Sequence, residues 1–323
     1  MKVSFIIPLY NCLPLTQAML ASLRATLPAG LAHEIIFVDD GSTDGTRDWL
    51  KDLPTPCRSI LNEKNLGFAG ACNRGAAAAT GEFLFFLNND LVLLPRWLEP
   101  MLAAFDRSPD AGLVGNVQLN AATGGVDHTG IYFNHQGKPA HRIDLPASTR
   151  WLGWPAYREV DALTGACFGL RRTLWQHLGG FDEAYLNGCE DIDLALRGAA
   201  AGRCHYIALN SVVRHHISSS AGRNLRNEQN TYRLVQRWPE QIARLAARAW
   251  SRHQIITHAD QSGVFDYAMV QAALAYVTVL PTVPGPVREG VAAAMARELR
   301  RWRELLEGTA PPPAPPPVRT EQI

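Results

Sequence analysis

Several features that would assign this chain to a common class are absent from it. Its 31 basic and 30 acidic residues leave a formal net charge of +1, so bulk electrostatics point to no nucleic-acid partner. Local basic patches remain, as around Arg223, Arg226 and Arg233. The six cysteines, Cys12, Cys57, Cys72, Cys167, Cys189 and Cys204, form no CxxC pair. That argues against structural zinc or a disulfide framework and for the reduced thiols of a cytoplasmic protein. No stretch reaches the ~18 uninterrupted apolar residues of a membrane span. The nearest, 263–286, contains Asp266 and Gln271 and runs into three prolines. The opening MKVSFIIPLYN lacks a small-residue cleavage site and reads as a first strand, not a signal peptide. No GxGxxG follows that strand, which disfavours a dinucleotide-dependent oxidoreductase. No Gly-rich, Arg/Lys-containing loop follows it either, only PLYNCLPLT, which disfavours a nucleotidyltransferase. The chain shows no internal repeat.

What is present is a composition able to build a core, 47% hydrophobic over 323 residues. The first ~120 residues alternate strand and helix. VSFIIPLY (3–10), EIIFVDD (34–40), RSILNE (58–63), EFLFFL (82–87) and GLVGNVQL (112–119) read as strands. Residues 14–27, 67–79 and 95–106 carry helical spacing, and GSTDGTRDWLKDL opens another helix with Ser42 or Thr43 as N-cap. That alternation predicts a parallel sheet with right-handed crossovers. Periodicity weakens from 120 to 158. Residues 161–183 then read strand, helix and Gly-Gly stop, 189–203 a helix, and 203–216 a strand ending in paired histidines. Residues 228–254 and 264–307 read as helical, and the Pro-rich 308–318 as a tail that packs no core.

Polar groups cluster at element edges: Asp39-Asp40, Asn88-Asn89-Asp90, Glu190-Asp191-Asp193 and His215-His216. Each alone has an ordinary explanation. Asn and Asp close turns, and acidic residues suit a first helical turn. Asp193 lies four residues before Arg197 and reads as its intrahelical partner. Trp151, Trp154 and Tyr157 offer aromatic faces on which a sugar acceptor could stack, or simply pack.

Taken in order, the segments VSFIIPLYN, EIIFVDDGSTDGT, NLGFAGACNRG, GEFLFFLNND, TGACFGLRR, LGGFDEAYLNGCEDIDLALR and HHISSSAG resemble the family 2 inverting glycosyltransferases, in a style similar to bacterial rhamnosyltransferase-like enzymes of surface polysaccharide assembly. The resemblance covers roughly 1–240. It implies the α/β GT-A fold, a Rossmann-like nucleotide half with a mainly parallel sheet (1–120) followed by an acceptor half (121–240). A helical extension (241–307) and the tail (308–323) complete the chain.

The resemblance also implies roles. FLNND stands where the family has its DxD-type metal motif, with Asn88 in the first position and Asp90 as the only carboxylate. His215, preferred to His216 for its spacing to Ser220 and Gly222, would complete the shell of Mn²⁺ or Mg²⁺. Asp40 would accept a hydrogen bond from the nucleotide base. Pro8, Tyr10, Asn11, Gly67, Asn73, Arg74, Asn88 and Asn89 would line the donor site, and Gly165 and Ala166 would lie near the donor sugar. Asp191 would be the catalytic base, with Glu190 orienting the acceptor or supporting the loop. The implied reaction is inverting transfer from a UDP- or dTDP-sugar to a hydroxyl of a glycan or lipid-linked acceptor. A non-catalytic glycan-binding relative is the competing reading, supported only by Asn88. The arginines of 288–303 admit an interfacial helix at the inner face of a membrane, and the plainer alternative is packing against the catalytic domain or a homodimer partner.

Overall fold

A computed structural model describes residues 1–144, 156–216, 223–259 and 267–307. Trp151 and Trp154 lie outside them. The chain divides into two compact units: 1–133 with 139–230, and 134–138 with 231–323.

The first unit is built on one mixed sheet. β1 (Lys2–Leu9), β2 (Ala32–Asp39), β3 (Cys57–Leu61) and β4 (Phe83–Leu87) are all parallel. β5 (Leu91–Leu93), β6 (Ala111–Asn120), β7 (Val126–His128), β8 (Ile131–Phe133), β9 (Pro139–His141), β10 (Tyr157–Val160), β11 (Cys167–Arg171) and β12 (Cys204–His215) follow. The sheet order is β10-β12-β6-β11-β4-β1-β2-β3, while β8 and β9 form a separate hairpin. β11 enters antiparallel between β4 and β6, and β12 runs parallel to β6. The central strands read as continuous apolar runs because both faces are covered; every residue of β4 is buried.

Helices α1 (Leu13–Thr26), α2 (Thr46–Lys51), α3 (Gly67–Ala78), α4 (Leu98–Arg107), α5 (Arg172–Leu178) and α6 (Glu190–Ala200) supply the crossovers and flanks. α3 is rich in small residues because it lies hard against the sheet. A Cβ on Gly75 would meet Ile6 Cγ2 at 2.5 Å. The N-cap of α2 is Gly45 at φ +87°, not Ser42 or Thr43. Those two are engaged elsewhere: the Asn11 N–H donates to Ser42 Oγ at 2.7 Å, and the Thr43 N–H to Asn11 Oδ1 at 2.7 Å. Within the weakly periodic segment 120–158, the described residues hold the short strands β7, β8 and β9 and the start of β10.

The expected long C-terminal helices are each interrupted. Pro239 opens α8 (Pro239–Ala259) just after α7 (Arg223–Arg237), and the prolines of 281–286 separate α9 (Tyr267–Thr278) from α10 (Gly285–Glu307). Within the second unit, Lys138 and Gln136 contact the Glu298 carboxylate at 3.0 and 2.9 Å, and His135 stacks on His253 with centroids 3.8 Å apart. Among the described residues no helix is long and apolar enough to cross a membrane.

At the sheet edge away from the strand C-termini, Glu34 sits nearly buried among Ser4, Thr80 and Arg58. Burial alone would raise its pKa. The hydrogen bonds from Thr80, Ser4 and Arg58 outweigh that and hold it at about 2, against 4.5 for an ordinary glutamate. A depressed carboxylate contributes stability that is present above the unfolded pKa and lost as pH falls through the folded one. Glu34→Gln should therefore lower stability at neutral pH and flatten its decline between pH 4.5 and about 2, as read by urea unfolding across that range.

Candidate active site

The parallel strands end on one side of the sheet, where α/β proteins place ligands. A cavity of about 390 Å³ opens there. It is lined by the ends of β1 and β4, the loop after β2, the start of α3, the turn before β11, the entry to α6 and the end of β12. Of the residues expected at a site, Pro8, Tyr10, Asp40, Gly67, Asn88, Asn89, Asp90, Gly165, Ala166, Glu190, Asp191 and His215 all face it.

Asp40 is only 4% exposed and already well bonded. Its Oδ1 accepts from Asn62 Nδ2 at 2.7 Å and the Leu66 N–H at 2.8 Å, and its Oδ2 from the Gly67 N–H at 2.8 Å. It ties the loop after β2 to the start of α3, where Gly67 takes φ +76°. With three of about four acceptor positions filled, one remains for a ligand. Its neighbour Asp39 is fully buried and paired with Arg47 Nε at 2.7 Å.

Asp90 and His215 meet because β5 pairs antiparallel with β12, placing Leu91 opposite His215. Asp90 Oδ1 lies 3.2 Å from His215 Nε2. The contact is close but not aligned as a hydrogen bond, since Asp90 Oδ1 is buried with no hydrogen-bond partner among the described residues; His215 Nδ1, the other ring nitrogen, is likewise buried without one. An orphaned carboxylate oxygen facing an imidazole nitrogen is a donor set that fits a divalent cation such as Mn²⁺. Among the described residues no cluster of three His, Cys, Asp or Glu side chains surrounds it. Asp90 and His215 would then hold such an ion with ligand oxygens and water completing its shell. Asn89 is braced on α1, its Nδ2 donating to Thr16 Oγ1 at 2.9 Å.

Asp191, in the first turn of α6, is half-buried. The Gly165 N–H donates to its Oδ2 at 2.6 Å and the Ile192 N–H to its Oδ1 at 2.8 Å. Burial nevertheless pushes its pKa above the usual aspartate value, with those hydrogen bonds and nearby His141 opposing. Glu190 is 5% exposed and is driven up by burial and by the adjacent Asp191 charge, although it accepts the Gly188 N–H at 2.6 Å. Space at Gly165 is tight, since a Cβ there would lie 3.3 Å or less from the Phe68 ring and 3.4 Å from Asp191 Cβ.

Other expected site residues serve as supports. Asn11 lies outside the cavity lining and holds the loop after β2, at φ +57°. Asn73 does not open toward the cavity: it bonds the Phe181 backbone through both amide ends and donates to Glu183 Oε1. Arg74 donates to Asn62 Oδ1 at 2.7 Å, a structural bond and not a free guanidinium at the site. Tyr157 donates its hydroxyl to the Pro100 carbonyl at 3.1 Å and packs on Arg107. Asp193 pairs with Arg197 at 2.8 Å.

Asn187 and Gly188 were not singled out from the sequence, and both line the cavity. Asn187 Oδ1 accepts the Phe68 N–H at 2.9 Å and so joins the α6 entry to α3. The Asn-Gly dipeptide, a turn signal just ahead of the acidic pair, is the mark that could have found them.

The family model described as glycosyl transferase family 2 matches residues 4–176, more than half of the chain, and the chain belongs to that family. It has the GT-A architecture of its structural neighbours. It is 31% identical over 227 residues to the O-antigen biosynthesis protein RfbC of Myxococcus xanthus, a match covering 68% of this chain but 18% of that protein. It is 27% identical to the N-acetylglucosaminyl-diphospho-decaprenol L-rhamnosyltransferase of Mycobacterium tuberculosis, covering 67% of this chain and 76% of the relative. GalNAc-T7, solved with UDP, GalNAc and Mn²⁺, superposes with a TM-score of 0.61 at 16% identity, over 78% of this chain and 51% of that one.

The cradle around Asp40 makes a structural prediction separate from any ligand. An amide in its place must turn its NH₂ toward at least one N–H donor. Asp40→Asn should lose about 1–3 kcal/mol of unfolding free energy in nucleotide-free protein, measured by urea denaturation.

Proposed function

We propose that this chain transfers one sugar from a nucleotide diphosphate-sugar to a hydroxyl of a glycan or lipid-linked acceptor, with inversion, in the assembly of a surface polysaccharide. The observation that carries the reading is one cavity that joins two unlike sites. A half-buried carboxylate with a raised pKa, Asp191, opens onto the same cavity as the Asp90–His215 pair. The names of the O-antigen and rhamnosyltransferase relatives support the polysaccharide and lipid-linked setting.

In this reading the base fits against the end of β2 and the start of α3, near Asp40, and the diphosphate lies toward Asp90 and His215. A divalent ion bound there would neutralise charge on the departing diphosphate. The remaining work falls to the protein. The Gly165 and Ile192 N–H groups fix the Asp191 carboxylate, and Glu190 orients the acceptor from the adjoining position. The acceptor oxygen forms its bond to the anomeric carbon as its proton passes to Asp191. The bond from that carbon to the diphosphate oxygen breaks, and its electron pair leaves with the nucleotide. A single displacement on the opposite face inverts the centre. Desolvation makes Asp191 more basic than a free aspartate, which suits proton abstraction near neutrality.

Asp191→Asn should cut transfer roughly 10²–10⁴-fold while leaving nucleotide binding intact, measured by product release beside a thermal-shift panel of UDP, dTDP and GDP with Mn²⁺. Because the base must be ionised, the rate should fall on acidification at a pH above the 3.8 of an ordinary aspartate. A variant with full transfer activity would remove Asp191 from the role.

A further inference from the structure

The second unit contains a larger cavity with different chemistry. It holds about 800 Å³ between α8, α9 and α10, within the usual range of ligand sites. Its walls are largely apolar, with Tyr276, Val283, Met295 and Leu299 among them. Arg244 and Arg288 border it, and Arg248 lies over the Tyr276 ring at 5.4 Å. Among the described residues Arg244 and Arg288 belong to no ion pair, and Arg288 donates only to the Val283 carbonyl at 3.3 Å. Among the described residues Glu240 is the one acidic residue lining the cavity, so the described border carries net positive charge.

The chain beside this cavity is apolar and open to solvent. Val279 is 80% exposed and Leu280 39%, immediately before Pro281, which lines the cavity. Farther along α8 and α9, Ile256, Tyr267 and Leu274 are also more than half exposed. Half of the large exposed hydrophobics among the described residues therefore fall between 256 and 280. Apolar side chains in water beside unpaired guanidinium groups complement an anionic amphiphile, with hydrocarbon below and phosphate above.

We propose that the α8–α10 cavity takes the hydrocarbon chain of an anionic phospholipid at a membrane surface, with Arg244 and Arg288 on its phosphate and Val279 and Leu280 entering the bilayer interface. This goes beyond the transfer reaction, and its readout is binding, so loss of transfer activity would not affect the test.

The test is co-sedimentation of the full chain with phosphatidylglycerol vesicles and with phosphatidylcholine vesicles. The wild type should pellet with the first and far less with the second. Arg244→Gln with Arg288→Gln should weaken binding roughly thirtyfold, since each arginine near an anionic surface contributes on the order of fivefold. Ala296→Trp, which fills the cavity, should weaken it at least tenfold at unchanged helicity by circular dichroism. Val279→Asn with Leu280→Asn, substitutions at solvent-exposed positions, gives the same reading if the tryptophan variant does not fold. Binding that ignores both the cavity and the exposed pair would reduce the effect to surface charge and overturn the proposal.

Discussion

Three residues of β5, paired antiparallel with the far end of β12, decide where chemistry can occur in the first unit. β4 ends in a polar turn, and β5 carries the chain from that turn onto β12. The pairing sets Leu91 opposite His215 and carries Asp90 against the imidazole. Two features let β12 reach that point. It is twelve residues long, and its register against β6 slips between Ala208 and Val212, a bulge of the kind that re-aims a strand beside a site. Ser211, inside the slip, is fully buried and donates to the Trp97 carbonyl, which anchors the bulge to the segment ahead of α4. The cost is an orphaned carboxylate oxygen and an orphaned ring nitrogen. Buried polar atoms without partners are rare enough to call for a ligand.

The carboxylates of this unit fall into two groups according to their partners. Glu34 and Asp39 have structural roles: hydroxyls and Arg58 hold the first ionised, and the second pairs with Arg47. Glu190 and Asp191 face the cavity with no cation in hydrogen-bond contact among the described residues, and burial moves both upward. Backbone N–H groups hold Asp191 in place without supplying a full positive charge, so orientation and basicity are set by separate means. Asp40 stands between the groups, structural through three hydrogen bonds yet open to the cavity.

The central sheet was legible because its signals are local. β4 is an unbroken apolar run, β1 and β2 carry the runs FIIPL and IIFV, and α3 announces itself by small residues at helical spacing. β5 and the strands of 126–141 were not legible, because three residues carry no periodicity and their pairing partners lie far along the chain. The α2 cap was misread for a similar reason: Ser42 has the right chemistry, but Asn11, thirty-one residues earlier, uses it first. Asn73 and Arg74 show the limit of motif transfer. The resemblance puts them at the donor site, whereas their side chains brace Phe181 and Asn62. Asn187 was passed over because its partner, the Phe68 N–H, is 119 residues away in sequence.

The central claim is that Asp90 and His215 act together as one cation-binding pair at the end of β4 and β12. Its most direct test is Mn²⁺ binding by electron paramagnetic resonance, titrating free Mn²⁺ against the chain in the presence of UDP. The account predicts that Asp90→Ala and His215→Ala each weaken binding by at least about tenfold, and that the double variant is little worse than either alone. Unchanged Mn²⁺ affinity in His215→Ala would contradict it, leaving the β5–β12 pairing a packing feature and the imidazole a bystander.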